Sequence, residues 1–299
     1  MQIVHQIESL RQLIKANRAA NPAVRIGFVP TMGFLHRGHA SLLEAARKEC
    51  DVVILSIFVN PLQFGPNEDL ERYPRDEERD MAIAREAGTD IVFFPQVSEM
   101  YPKPTRTMVS VSGVTERLCG ASRPGHFDGV ATVVTKLLNI VQPDKAYFGM
   151  KDAQQVAVIE QMVYDLNMPV TIVPCPIVRE EDGLAMSSRN VYLSEEERRQ
   201  ALVLSAALEE AESQLEARKE TISPEELRQT VVRHIQSAPL ADIDYVELLS
   251  YPDLAPVDFW GSDERIIIAV AVRFGATRLI DNRILHAPVA SLSHSYPES

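Results

Sequence analysis

Apolar positions along this chain recur with two periods, and stretches rich in Gly, Pro, Asn and Asp mark where one period gives way to the other. Ile7, Leu10 and Ile14 stand at helical spacing, which predicts a helix over 5–20 stopped by Asn21-Pro22. Arg25–Val29 reads as a short buried strand, Pro30–Gly38 as a loop, and Ala40–Glu49 as a helix with Leu42, Leu43 and Ala46 facing inward. Asp51–Val59 is a continuous apolar, β-branched run. Such a run fits a central parallel strand buried on both faces, not a half-exposed one. Strand, helix and strand in this order form a βαβ unit.

The pattern then repeats. Helices are expected over Asp76–Ala87 (closed by Gly88), Gly129–Val141 (stopped before Pro143) and Asp152–Leu166, alternating with strands at Ile91–Phe94, Lys145–Phe148 and Val170–Val173. This alternation predicts an α/β fold: a Rossmann-like open parallel sheet with helices on both faces and ligands beyond the carboxyl ends of the strands. Past residue 178 the grammar changes. Ser194–Glu197 reads as a capping box opening a long helix to about Lys219, and Ser223-Pro224 opens another. Asp244–Leu249 and Ile266–Val272 read as strands, and Arg278–Ile284 as a third that pairs back after a Gly turn within Phe274–Thr277. The expected division is a first domain over 1–178 and a smaller C-terminal α+β domain over 179–299, with the tail after Leu285 fraying.

Charge changes this picture only when it is read locally. The 30 basic and 42 acidic residues give −12, which disfavours nucleic acid as a partner. Yet residues 1–64 carry seven Lys/Arg against four Asp/Glu, and 101–151 carry seven against three, so two stretches of the first half are locally basic. Three widely spaced cysteines in no CxxC pair exclude a disulfide scaffold. The longest apolar stretch, Ile266–Val272, is far too short to span a membrane, and the N-terminus lacks a signal-peptide layout, so a cytoplasmic protein is expected.

Four motifs carry chemistry. In Pro30–His39, His36 and His39 flank Gly38 between a strand and a helix, where free N–H groups and the helix dipole favour a nucleotide phosphate. Two imidazoles there can stabilise charge on a leaving pyrophosphate; a zinc site would need a third ligand that is not evident. Asn60 and Gln63, in Phe58–Gly65, are amides suited to hydroxyl and carboxylate recognition at a sheet edge. In Phe148–Gln155, Gly149 permits close approach, Lys151 supplies a mobile cation, Asp152 suits an N-cap and Gln155 faces the same cleft one turn on. In Arg179–Asn190, Ser187, Ser188 and Arg189 can wrap phosphate oxygens from a loop at the domain junction. A further segment, Gly120–Gly129 with Arg123 and His126, reads equally as a cleft loop or a surface turn.

Taken in order, the His-x-Gly-His turn and the Met-Ser-Ser-Arg loop resemble the HIGH/KMSKS nucleotidyltransferase superfamily. Pro-Thr-Met-Gly-x-Leu-His-x-Gly-His, Ser-Ile-Phe-Val-Asn-Pro-x-Gln-Phe, Tyr73-Pro-Arg, Gly-Ala-Ser-Arg-Pro-Gly-His-Phe, Phe-Gly-x-Lys-Asp-x-Gln-Gln and Asp-Gly-Leu-Ala-Met-Ser-Ser-Arg-Asn narrow the resemblance to the pantothenate synthetase (pantoate–β-alanine ligase) family over nearly all of 1–285. The resemblance implies that ATP and pantoate form a pantoyl adenylate and pyrophosphate, after which β-alanine displaces AMP to give pantothenate. It places His36 and His39 on the ATP phosphates, with His39 at the position usually named as proton donor. Met32, Gly33, Phe34, Leu35, Arg37 and Gly38 would complete the nucleotide loop. Gly149, Met150, Lys151, Asp152, Val178, Met186, Ser187, Ser188 and Arg189 would supply the remaining ATP contacts. Gln63 and Gln155 match the pantoate contacts, with Gln63 also near β-alanine. The resemblance further implies Mg²⁺ on the phosphates and a homodimer; Asp80 is no more than a guess at a metal ligand. Met150 stands where the family often has an acidic or amide residue.

Other readings remain open on sequence grounds. A different adenylyl-transferring enzyme acting on a phosphorylated substrate would need further basic residues, whereas the Asn60, Gln63 and Gln155 amides suit a small hydroxy acid. An RNA-binding module would meet an acidic second domain. A non-catalytic nucleotide sensor would leave both histidines and Lys151 unexplained.

Overall fold

The computed structural model describes residues 1–66, 68–218, 222–260 and 265–286. The chain folds as two compact units, Met1–Glu181 with Ala185–Val191, and Asp182–Leu184 with the described residues from Tyr192 onward. The Met-Ser-Ser-Arg loop therefore belongs with the first unit.

In the first unit, β1 (Gln2–Val4) precedes α1 (Ile7–Ala20), whose Leu10 and Ile14 are the buried positions that the spacing marks and whose C-cap is Asn21. There follow β2 (Ile26–Thr31), α2 (Arg37–Glu49), β3 (Val52–Ile57), α3 (Glu77–Glu86) and β4 (Ile91–Phe93). Next come the short helices α4 (Val97–Met100) and α5 (Leu118–Ser122), then α6 (His126–Val141), β5 (Lys145–Gly149), α7 (Ala153–Asp165) and β6 (Thr171–Cys175). The strands form one six-stranded sheet in the order β1-β4-β3-β2-β5-β6, with every pairing parallel. All six residues of β3 are buried, as its unbroken apolar run requires. From β2 the chain runs through α2 to β3 on one side, while β5 pairs on the other. The order thus reverses between β2 and β5, and a crevice opens at their carboxyl ends.

Three features were not expected from the pattern. β1 is a three-residue edge strand, exposed at two positions, with no alternation to signal it. The helices α4 and α5 are too short to show a period.

In the second unit, the Ser194 capping box opens α8 (Glu195–Ala201), which gives way to α9 (Val203–Arg218) at Leu202 instead of continuing as one helix. The Ser205 hydroxyl donates to the Leu202 carbonyl at 3.2 Å while the Ala206 N–H reaches the same oxygen at only 3.3 Å. A side chain competing for a helical carbonyl loosens the ladder at that point. The Ser223 capping box opens α10 (Pro224–Ile235), and β7 (Ala241–Ser250), β8 (Arg265–Phe274) and β9 (Thr277–His286) form an antiparallel sheet with β8 at its centre. Ile266, Ile268, Val270, Val272 and Phe274 share a core with Leu204, Leu208, Leu227 and Val231 of α9 and α10. Leu285 and His286 belong to β9; the tail from residue 287 and the Lys219 end of the long helix lie outside the described residues.

Candidate active site

A cavity of about 220 Å³ lies within the first unit, at the carboxyl ends of the sheet strands. Its wall includes Met32, His36, Gly38, His39, Asn60, Gln63, Gly149, Lys151, Asp152, Gln155, Val178 and the run Met186–Arg189. All four motifs thus meet in one place.

The histidines come first because they build the helix that carries them. His36 is the N-cap of α2, and its Nδ1 accepts the Gly38 N–H at 3.1 Å; His39 Nδ1 accepts the His36 N–H at 3.3 Å. This is a capping box made from two imidazoles. An Nδ1 that accepts carries no proton, so each neutral ring holds its proton on Nε2, at the opposite edge. The two rings lie with centroids 4.0 Å apart. Burial, with Lys151 and Arg79 nearby, lowers the His36 pKa to about 4. Burial also holds His39 well below the ordinary range, helped by His36 and Lys151. Both rings are therefore neutral Nε2–H donors at neutral pH. Gly38 permits this fold-back: a Cβ there would stand 2.9 Å from two atoms of the His36 ring.

The preceding loop is anchored from below. Asp80, 3 % exposed, accepts the Phe34 N–H at 2.9 Å and the Leu35 N–H at 2.6 Å, one on each carboxylate oxygen. Those bonds secure Phe34 at a positive φ of 49°, an unusual conformation for a bulky residue. Asp80 thus works as a loop anchor, an occupation different from the metal contact guessed for it.

Several residues expected around the nucleotide do not border the cavity. Leu35 is fully buried in the core beside α2, and Gly33 and Phe34 lie in the anchored turn. Arg37 stands on the exposed face of α2, ion-paired with Glu44. Met150 sits in a 3-10 turn between the two cavity residues Gly149 and Lys151. Spacing identifies the loop but not which of its side chains turn inward.

Asn60 and Gln63 also have distinct occupations. The Asn60 amide makes four hydrogen bonds to protein: it donates to Gln63 Oε1 and the Gly129 carbonyl, each at 3.1 Å, and accepts from the Tyr101 hydroxyl at 2.9 Å and the Leu62 N–H at 3.3 Å. Its capacity is filled, so Asn60 orients Gln63 and does not offer itself to a ligand. Gln155 contrasts with it: it lines the cavity with its amide free of hydrogen bonds to the described residues, while its neighbour Gln154 is buried and bonds Cys119, Val114 and Arg117. Gly129 lets α6 press against this turn, since a Cβ there would lie 2.4 Å from the Leu62 carbonyl oxygen.

Arg123 and His126, ambiguous in the sequence, prove to be scaffold beneath Gln63. Arginine only donates, so His126 Nε2 accepts from it at 3.0 Å and His126 Nδ1–H donates to the Gln63 carbonyl at 2.8 Å. Burial and Arg123 push the His126 pKa down to about 4. Arg123 is in turn clamped by both carboxylate oxygens of Glu68.

In the last motif, the Ser188 hydroxyl donates to the Phe34 carbonyl at 3.3 Å, tying this loop to the histidine loop. Ser187 Oγ accepts the Arg189 N–H at 3.2 Å, and the Met186 N–H donates to the Val178 carbonyl at 3.0 Å. The Asp152 carboxylate occupies the N-cap position of α7 without a capping bond and lies 3.8 Å from Lys151 Nζ. Sequence reasoning missed Tyr73, which was seen only as part of a motif but is 6 % exposed in the cavity wall, and the apolar wall of Val130, Val133, Val134 and Leu137 on α6. The i, i+3, i+4, i+7 spacing of that wall was the signal available, and it reads equally as core.

Among the described residues no cluster of three or more His, Cys, Asp or Glu could hold a metal ion, and no helix is long and apolar enough to cross a membrane. The profile of the pantoate–beta-alanine ligase family matches residues 2–284. The pantothenate synthetase of Acetivibrio thermocellus is 55 % identical over 285 residues, covering 95 % of this chain and 99 % of that protein. The pantothenate synthetase of Geobacillus kaustophilus is 54 % identical, covering 96 % and 94 %. The crystal structure of pantothenate synthetase from Thermus thermophilus superposes with a TM-score of 0.87 at 48 % identity, covering 95 % of this chain and 99 % of that one. A Francisella tularensis pantoate-beta-alanine ligase structure, complexed with beta-gamma ATP and beta-alanine, gives 0.75 at 34 % identity, covering 95 % and 97 %. With two histidines, a lysine and an arginine gathered at a crevice of this sheet, and with likeness of this extent, the chain belongs to the pantoate–beta-alanine ligase family.

Proposed function

We propose that this ligase joins pantoate to β-alanine in two steps through a pantoyl adenylate. In the first, a pantoate carboxylate oxygen attacks the α-phosphorus of ATP and the bond to the bridging oxygen breaks, releasing pyrophosphate. In the second, the neutral amine of β-alanine attacks the acyl carbon, the acyl–oxygen bond breaks, AMP leaves and the amine loses a proton. Neither step needs a covalent enzyme intermediate. Both need alignment and donors for negative charge spreading over phosphate oxygens.

The observation that carries this reading is the tautomer of the two histidines. Their Nδ1 atoms are occupied by main-chain N–H groups, so each has an Nε2–H available as a donor without a positive charge to desolvate. Lys151 and Arg189 add full charges to the same cavity lining. Gln63 and Gln155 are the proposed contacts for the pantoate hydroxyl and carboxylate groups, and the apolar stripe of α6 suits its two methyl groups. Met186 and Val178 supply main chain for the adenine.

Mg²⁺ enters this proposal on the ATP phosphates. It favours oxygen ligands and keeps several waters, needing one or two carboxylates at most. Asp152, with its side chain half exposed, is the carboxylate proposed to face it. When bound, the ion would neutralise phosphate charge. A homodimer and a cytoplasmic location complete the proposal and rest on the family resemblance.

Exchange of labelled pyrophosphate into ATP tests the first step directly. The expected exchange requires pantoate and proceeds without β-alanine. Exchange that ignores pantoate, or that appears only with β-alanine, would reject the adenylate.

A further inference from the structure

Asp69 belongs to the acidic stretch that the motifs left unexplained, and it faces Arg189 across 120 residues of sequence. Arg189 Nε donates to Asp69 Oδ2 and Arg189 Nη2 to Asp69 Oδ1, both at 2.9 Å. The carboxylate side chain is 16 % exposed and the guanidinium 31 %, so this pair is screened less than a surface ion pair. The Tyr73 ring lies beneath, its centroid 5.8 Å from the guanidinium carbon. Tyr73 and Arg189 border the cavity; Asp69 stands behind them.

The geometry of the fork matters. A guanidinium carries five N–H donors in a plane. Asp69 takes the side edge, Nε–H and one Nη2–H, which leaves the end edge, one Nη1–H and the second Nη2–H, for a planar or tetrahedral oxyanion. An unrestrained arginine carries rotamer entropy that a phosphate would have to overcome on binding.

We propose that Asp69 is a positioning residue: it holds the Arg189 guanidinium by its side edge so that its end edge is preset for the phosphates of ATP. This rests on the ligase reading, in which Arg189 meets those phosphates. Coulomb's law makes the idea sharp. A carboxylate beside a triphosphate is unfavourable unless the arginine between them is engaged with both. Removing Asp69 therefore weakens ATP binding when Arg189 is present, and relieves repulsion when Arg189 is absent. A merely structural contribution of Asp69 to its loop would reduce binding in both backgrounds.

The test is a double-mutant cycle on the full chain, with ATP affinity read by calorimetry and pantoate-dependent pyrophosphate release read in parallel. Asp69→Asn is nearly isosteric, and Asp69→Ala removes the group; thermal melting checks that each folds. Either change is expected to weaken ATP binding and slow release by about tenfold, as for a displaced binding group. In an Arg189→Ala background, Asp69→Ala is expected to leave affinity unchanged or improve it. Wild-type-like Asp69 variants, or an equal loss in both backgrounds, would overturn the inference while leaving the ligase reading intact. A wild-type chain that shows no pantoate-dependent release would overturn the ligase reading, and this inference with it.

Discussion

His36 and His39 hold each other in place: His39 Nδ1 accepts the His36 N–H at 3.3 Å, and the two rings lie 4.0 Å apart. The same side chains therefore cap α2 and carry the Nε2–H donors, so an alanine at either position confounds folding with chemistry. Substitutions that keep the cap separate the two. Gln at the third position of a capping box reaches back to the N-cap N–H. His39→Gln is expected to melt within a few degrees of wild type yet release pyrophosphate from ATP and pantoate about 100-fold more slowly, the loss typical of removing one donor to a developing anion. A variant with near-wild-type release would remove His39 from the chemistry. Lys151→Ala, which leaves the α2 capping box intact, is expected to fold normally and lose the same partial reaction.

The depressed His36 pKa of about 4 also makes stability depend on pH. Since an imidazole in the unfolded chain titrates near 6.5, the unfolded state takes up its proton first as pH falls. The contribution of His36 is complete above pH 6.5 and is lost progressively as pH drops toward 4, to a limit of about 3 kcal/mol. His36→Asn retains an N-cap acceptor and removes the titration. The melting temperature of this variant is expected to fall less steeply than that of wild type between pH 6.5 and 4; parallel slopes would show that His36 is not the group responsible.

How much of this could be read in the sequence depends on whether a residue's work shows in spacing. The unbroken run through β3 declares burial on both faces, and the glycine in His-x-Gly-His marks a close approach that the structure resolves as the His36 ring lying on the main chain. Lys151, Gln155 and Arg189 were legible because polar groups follow strand ends where an open sheet binds ligands. Asp69 was not legible, since a single carboxylate in an acidic stretch reads as a solvated face until its partner 120 residues away is known. The inward or outward turn of Leu35 and Arg37 in the histidine loop has no period to betray it. Asn60 reads in the sequence as a substrate amide because an amide looks the same whether its bonds go to a ligand or, as here, to Gln63, Gly129, Tyr101 and Leu62.

Gly129 connects packing to substrate recognition. A methyl group there would meet the Leu62 carbonyl oxygen at 2.4 Å, and main chain on both sides has little room to yield. Gly129→Ala is expected to push α6 away from the 60–63 turn, destabilising the chain by about 1–3 kcal/mol in denaturant titration. The same shift displaces Gln63, so KM for pantoate rises more than KM for ATP. Equal effects on both substrates would indicate general loosening of the fold.

Asn60 and Gln155, both at the cavity, are expected to respond in opposite ways to truncation. Asn60→Ala leaves the Tyr101 hydroxyl and the Leu62 N–H without their partner, and buried groups stripped of hydrogen bonds cost about 1–3 kcal/mol each before relaxation. That variant is expected to melt several degrees lower and to lose pantoate affinity only because Gln63 Oε1 is no longer restrained. Gln155→Ala removes no hydrogen bond to the described residues, so its melting temperature should be unchanged while KM for pantoate rises about tenfold, the loss of one direct hydrogen bond to a charged ligand. Thermal melting and initial rates on the two variants settle the distinction: if Gln155→Ala melts early or Asn60→Ala does not, the division between positioning amide and ligand-binding amide is wrong.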